Sequence, residues 1–528
     1  MIVRDNEHTI RACLESVRPW VDEMIVVDTG SRDATPDICR ELGARVESLA
    51  WPDSFAEARN ESLKYARGEW IFWMDSDDVI DAEKGRKLRE LARRPAPENL
   101  LGYTMQVHCP GPGDDGAFDM TVVDHCKLFR NRPDLRFEGR IHEQVLGAIN
   151  RAGGEVLFTD LFVVHAGADH TRAGRGRKLR RDLRLLRLER RDKPEHTFVH
   201  FNLGMTYADA GKHAKAIAEL RRSRELAQPH ESHVRKIYAL LVASHRELGQ
   251  RADAWQACRE GLYWFPKDPE LRFREGLLAH EDGRLCEAEL AYLGALANEE
   301  AVHFGSIDRG IVGFKARQNL AAVYSDMGQP TRAEAQWRAI VADVPGYRAG
   351  WHGLVDNLIA QGRLAEAEAA IATFASGEPR LRGTGVALAA RVAEAKGQLD
   401  GARELLRRGV VECPADAAPL EELCRILFDH GPAAEAEAAL RELARRQPAD
   451  GAAPHNLGTL LLRGGDAEGA VAAFRESLVR RPRAAHTHLS LGYALRDAGR
   501  DDDALAWAAA VSPLGMPRCV VSSKPAGS

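Results

Sequence analysis

The chain has 528 residues, 45% hydrophobic and 29% charged, with 73 Lys or Arg against 78 Asp or Glu and a net charge of −5. This composition belongs to a globular protein of about three domains, and the near-neutral balance argues against a protein that coats nucleic acid. No apolar run reaches the roughly 20 residues of a membrane span, no basic-then-apolar leader opens the chain, and the 9 cysteines form no Cys-x-x-Cys pair, so a cytoplasmic protein with reduced thiols is expected.

Residues 1 to about 170 alternate short apolar runs with helical patterns. Met24-Ile25-Val26-Val27 predicts a strand, ended by the turn formers Asp28-Thr29-Gly30-Ser31. Asp33 to Leu42 predicts a helix carrying Ala34, Ile38 and Leu42. Another strand begins at Val46, and Asp53 or Ser54 caps a helix bearing Phe55, Ala58, Ser62 and Tyr65. Trp70-Ile71-Phe72-Trp73-Met74 reads as a buried strand that ends at Asp75. Strand, turn, helix, strand is the pattern of a parallel α/β sheet. Ligands of such sheets sit beyond the carboxyl ends of the strands, where Asp28 and Asp75 both stand.

Asp75, Asp77 and Asp78 place three carboxylates within four residues. An acidic turn or helix cap is the commoner role of such a run. Here it follows an apolar strand, and carboxylate oxygens so placed could bind Mg²⁺ or Mn²⁺, which would neutralise a diphosphate leaving group. The Gly- and Pro-rich stretch from Cys109 to Gly116 reads as a loop.

From Thr171 to Lys193 the chain carries eleven Lys or Arg against three acids, with Leu179, Leu183, Leu186 and Leu188 at helical spacing. A basic amphipathic linker helix is expected over 171–195. Its charged face is either simply solvated or closes over phosphates or an acidic acceptor. Beyond it the sequence repeats. Gly211, Gly249, Gly283, Gly328, Gly362, Gly397, Gly431, Gly465 and Gly499 recur mostly at 34 or 35 residues, each followed five positions later by Ala, from Ala216 to Ala504. That is the tetratricopeptide signature, with about nine units over 196–511. The longer interval from Gly283 to Gly328 predicts an inserted loop near His303 to Val312, and 512–528 reads as a disordered tail. Tyr207, Tyr238, Trp255, Tyr324 and Trp351 fall mostly at core positions of the repeats, so packing is their expected role.

Four segments in order, Met1-Ile2-Val3-Arg4-Asp5-Asn6-Glu7, Ile25 to Thr35, Phe55-Ala56-Glu57-Ala58-Arg59-Asn60 and Trp70 to Asp78, resemble the motifs of family-2 glycosyltransferases. The sequence is similar to the bacterial group that joins this domain to tetratricopeptide repeats, the sublancin S-glycosyltransferase group. The resemblance implies a GT-A α/β domain over 1–170, a nucleotide-diphosphate sugar donor such as a UDP-sugar, a divalent metal and inversion at the anomeric carbon. Asp28 would hold the nucleotide, Asp75 ribose or metal, Asp77 the metal and Arg59 the nucleotide or its phosphates. Asn6 and Glu7 either touch the nucleotide or open the following helix. The family's first strand usually begins several residues before the position of Met1, so a truncated, weakened first strand is expected.

An inverting transfer needs a base for the acceptor. Glu143 or His142, in an Ile-His-Glu segment like the family's, could serve, with Asp124 a third candidate. His165, after an apolar strand, is either a metal ligand, a contact to the diphosphate or a structural histidine. The resulting expectation is an inverting, metal-dependent transferase whose repeats hold a protein or peptide acceptor or partner. A repeat scaffold with a degenerate transferase domain is the alternative, and a module that binds donor without transfer is a third.

Overall fold

The structure, a computed structural model, describes residues 1–110, 120–165, 171–229, 231, 233–297, 306–377, 381–482 and 484–511. The chain divides into two compact units, Met1–Tyr347 and Arg348–Ser528.

In the first unit β1 (Ile2–Val3), β2 (Ile25–Asp28) and β3 (Arg45–Ser48) form a parallel sheet with β2 central. Val26 and Val27 are fully buried in it, as β-branched residues of a covered parallel strand should be. Helix α1 (Ile10–Val17) buries Ile10, Cys13, Leu14 and Val17, one stripe at helical spacing. After α2 (Thr35–Glu41), α3 (Phe55–Leu63) starts at Ser54, whose side chain accepts from the Glu57 N–H at 3.2 Å.

The second sheet contains β4 (Trp70–Phe72), β5 (Asp78–Val79), β6 (Leu100–Pro110), β7 (Met120–Arg130) and β8 (Glu155–His165) in the order β4-β7-β6-β8-β5. Helices α4 (Ala82–Arg93) and α5 (Leu146–Arg151) lie between its strands in sequence. The expected buried strand Trp70–Met74 is corrected here. It stops at Phe72, is half-buried, and pairs antiparallel with β7, Ile71 opposite Phe129. The long β6–β7 hairpin supplies a ladder that the two-residue β1 does not, so β4 joins the mixed sheet. A cleft of about 550 Å³ is lined by Met1 and Ile25 together with Trp70, Ile71 and Phe72.

Helix α6 (Arg172–Asp192) occupies the basic stretch and buries Leu183, Leu185 and Leu186. It is followed by the helix pairs α7 (Thr197–Asp209) and α8 (His213–Leu226), α9 (Val234–Glu247) and α10 (Arg251–Trp264), α11 (Pro269–Glu281) and α12 (Leu285–Leu296). One core joins Ile141 of the α/β domain, the three leucines of α6 and Val199, Leu203, Leu220 and Ile237 of the repeats, with Trp51 and Phe55 packed against it.

The loop expected near His303 to Val312 also needs correcting. Its described part forms β9 (Ser306–Asp308), which pairs antiparallel with β7, Ile307 opposite Val122. β4 covers only Leu128–Arg130 of β7, so the rest of that edge takes up this backbone. Asp308 accepts from Lys315 Nζ at 2.6 Å and Arg309 donates to Gln106 at 3.3 Å. Helices α13 (Phe314–Asp326) and α14 (Pro330–Asp343) follow.

The second unit holds α15 (Arg348–Ala360) to α24 (Asp501–Val511). The turn glycines adopt left-handed φ at 211, 249, 283, 328, 362, 397, 465 and 499. Gly431 does not: its φ is −103° and ψ 173°, the extended conformation imposed by Pro432. Tyr207, Tyr238, Tyr324 and Trp351 are buried, and Trp255 is half-buried with its Nε1 donating to Asp282 at 2.8 Å. Among the described residues no helix is long and apolar enough to cross a membrane. The expected tail 512–528 and most of the 109–116 loop lie outside the described residues, Cys109 and Pro110 closing β6.

Candidate active site

The acidic run follows β4, and its fourth residue, Asp78, opens β5. β5 pairs with β8 so that Asp78 stands opposite His165. The imidazole Nδ1 is thereby set 3.0 Å from Asp78 Oδ1 and 3.3 Å from Asp77 Oδ1. The run is also closed on itself, with the Asp75 N–H donating to Asp78 Oδ2 at 3.1 Å and the Asp78 N–H to the Asp75 carbonyl at 3.1 Å.

Two buried cations stand against these acids. Arg59, on α3, is 4% exposed. It donates to Asp75 Oδ1 at 2.5 Å and, through Nε, to Glu143 Oε1. Its Nη1 is buried without a hydrogen-bond partner among the described residues. Lys127, on β7, is fully buried and donates to Asp78 Oδ2 at 2.6 Å. Both lie over the Trp73 ring, at 4.3 and 4.1 Å from its centroid.

These charges set the titration of the site. Burial pushes the Asp75 carboxyl up, but Arg59 and Lys127 outweigh it and hold the group well below the usual carboxylate range. Asp78 is likewise held low against burial by Lys127 and His165. Asp77 moves the other way: burial and the two neighbouring aspartates raise it against the pull of His165. His165 is raised, first by its hydrogen bond to Asp78 and against its burial.

Of the predicted site residues, the structure brings together Arg59, Asp75, Asp77, Glu143 and His165. Arg59 is committed to two carboxylates, so it orients acids of the site. Glu143 is buried beside it. His142 has a left-handed φ of 55°, a strained position for a non-glycine residue, and burial lowers its imidazole pKa. Asp28 closes its own turn, accepting from Ser31 Oγ at 2.5 Å and Ser31 N–H at 3.1 Å. Asn6 accepts from the Arg4 N–H at 2.9 Å, and Glu7 accepts from the Ala34 N–H at 3.2 Å, so both serve the loops after β1 and β2. Asp124 is registered opposite Gln106 on the hairpin.

Sequence reasoning missed Lys127 and the centrality of Asp78. The available signal was a lysine inside the apolar run Cys126-Lys127-Leu128-Phe129, where a solvated face is not expected. Asp75, Asp78 and His165 each offer an atom within 4.8 Å of the others, and carboxylate oxygen with imidazole nitrogen is a donor set that suits Mn²⁺ or Mg²⁺.

An α/β domain with an acid-rich loop at its strand ends, followed by paired helices at a fixed period, defines an enzyme-like domain fused to a repeat array. Residues 1–108 match the model of glycosyl transferase family 2, and 199–230, 319–379, 421–480 and 455–515 match tetratricopeptide repeat models. The chain therefore carries a family 2 glycosyltransferase domain at its N-terminus and tetratricopeptide repeats in its C-terminal part. It is 39% identical over 145 residues to a repeat-containing protein of Synechococcus elongatus, covering 28% of this chain and 34% of that one. It is 27% identical over 226 residues to the glycosyltransferase SunS of Bacillus subtilis, covering 42% of this chain and 52% of that one. The chain thus spans about a third to a half of the length of these curated relatives. Among solved structures, the pilus biogenesis factor PilW is 19% identical with a TM-score of 0.34, covering 44% of this chain and 98% of that one.

Proposed function

We propose that the protein is an inverting, metal-dependent glycosyltransferase that moves a sugar from a nucleotide-diphosphate donor, a UDP-sugar in the leading form, to an acceptor hydroxyl or thiol. The observation that carries this reading is the convergence of Asp75, Asp77, His165 and Glu143 on one site inside a family 2 domain. Asp77 and His165, with Asp75, would hold the divalent cation. That cation would supply positive charge against the diphosphate as it leaves.

The remaining chemistry belongs to the chain itself. Glu143 is the base: it takes the acceptor proton as the acceptor oxygen or sulfur bonds to the anomeric carbon and the bond from that carbon to the diphosphate breaks on the opposite face. Arg59 fixes the Glu143 carboxylate by its Nε hydrogen bond and ties it to Asp75. His142, kept neutral by burial, is the second candidate for this role. Asn6, Glu7 and Asp28 would line the nucleotide side from the ends of β1 and β2. The repeats would present a protein or peptide acceptor, as stacked helical units commonly bind extended chains.

Calorimetric titration of UDP and GDP, with and without Mn²⁺, into the chain and into Asp77→Asn tests the reading. Mn²⁺-dependent binding of one nucleotide, weakened by the substitution, is the expected result. A folded chain that binds neither nucleotide overturns it in favour of a non-catalytic repeat scaffold.

A further inference from the structure

Lysine is almost never fully buried unless paired, and Lys127 is fully buried in the middle of β7. Its partner, Asp78, is also fully buried. Three protein groups hold that carboxylate: Lys127 Nζ at 2.6 Å, the Asp75 N–H at 3.1 Å and His165 Nδ1 at 3.0 Å. Asp77 differs. Its side chain is 19% exposed, and its ion-pair partner is His165 at 3.3 Å. A divalent cation set among Asp75, Asp78 and His165 would lie within a few ångströms of the Lys127 ammonium, and that repulsion is large where water is excluded.

We propose that Lys127 neutralises Asp78 and so removes that carboxylate from the cation-binding set, leaving Asp77 and His165, with Asp75, to meet the cation. This rests on the transferase reading above for the cation's purpose, but not for the pairing. Trp73 braces the device. Its ring lies beneath both Lys127 and Arg59, and its Nε1 donates to the Cys126 carbonyl at 2.8 Å, next to Lys127 in the same strand.

The test is Mn²⁺ alone, titrated into the full chain and five variants, with folding checked by circular dichroism. Lys127→Met frees Asp78 and should tighten Mn²⁺ binding by about tenfold, because one positive charge leaves the cluster. Asp78→Asn leaves the lysine uncompensated and should weaken binding by a similar factor. The double variant Lys127→Met/Asp78→Asn leaves no buried charge unpaired and should return to about the wild-type affinity. Lys127→Arg should keep it, and Asp77→Asn should lose it. A double variant that loses Mn²⁺ as fully as Asp77→Asn shows that Asp78 is a ligand and overturns the proposal. So does a folded Lys127→Met with unchanged affinity. Where Lys127→Met does not fold, the double variant decides alone. Failure of the transferase reading looks different: the Mn²⁺ pattern holds, and no nucleotide binds with the metal.

Discussion

Arg59 is shared by two carboxylates, and this sets what its loss must do. Arg59→Met leaves the buried Glu143 without its counter-charge, and breaking a buried pair from one side costs about 3–5 kcal/mol, while Asp75, 38% exposed and still near Lys127, adds less. A thermal melt should show that loss. Arg59→Lys should recover only part of it, because an ammonium cannot make two directed bonds in a fixed fork. Glu143→Gln keeps an oxygen for the Arg59 hydrogen bond and removes the proposed base. Single-turnover kinetics should show transfer slower by about 10²- to 10⁴-fold with nucleotide affinity unchanged. At this scale the sequence was a good guide to the acids and a poor guide to their partners. Asp75 and Asp77 announce themselves by spacing. Lys127 sits 49 positions from Asp78 and meets it only because β7 and the loop after β4 are brought together.

Element by element, periodicity predicted more than pairing. The helices of the repeats follow from their 34-residue period, and Gly431 shows the one place where a neighbour overrides the turn residue. Between α9 and α11, Lys236 donates to both oxygens of Glu270, at 2.9 and 2.7 Å, and the glutamate is almost fully buried. Burial raises its pKa, but Lys236 and Arg274 win and draw it down to about 2. A depressed acid stabilises the fold above its unfolded pKa and loses that contribution as pH falls through the folded value. The repeats should therefore lose up to about 3 kcal/mol between pH 4.5 and 2, and Glu270→Gln should flatten that part of the stability curve. The strand β9 gives a second expectation. Deleting residues 298–308 shortens the Gly283–Gly328 interval from 45 to 34, the period of the other units. The repeats should still fold, while amide exchange at Thr121–Val123 of β7 speeds up by at least about tenfold as that edge loses its partner.

For the whole molecule, the compact-unit boundary falls at Tyr347, inside the repeats. The first unit reaches into the repeats through a shared core, in which Leu183, Leu185 and Leu186 of α6 pack together with Ile141, Val199 and Leu203. Cutting the chain after residue 195 removes the repeat residues Val199, Leu203, Leu220 and Ile237 from that core. Such a fragment should melt about 10 °C below residues 1–347, or aggregate, when the two are compared by scanning calorimetry.

The sequence by itself determined that an α/β domain precedes a helical repeat array, where each helix turns, and which aspartates stand at strand ends. Those features are local: a period, a turn residue or a carboxylate spacing is written within a few dozen residues. Only the tertiary structure decided that β4 joins the β6–β7 hairpin, that a strand from the repeats completes β7, and that Arg59 and Lys127 face inward on the acids. Strand partners and the neutralisation of buried charge depend on groups far apart in sequence. Their selection is made by free edges and by the cost of leaving a charge unpaired, neither of which a linear pattern records.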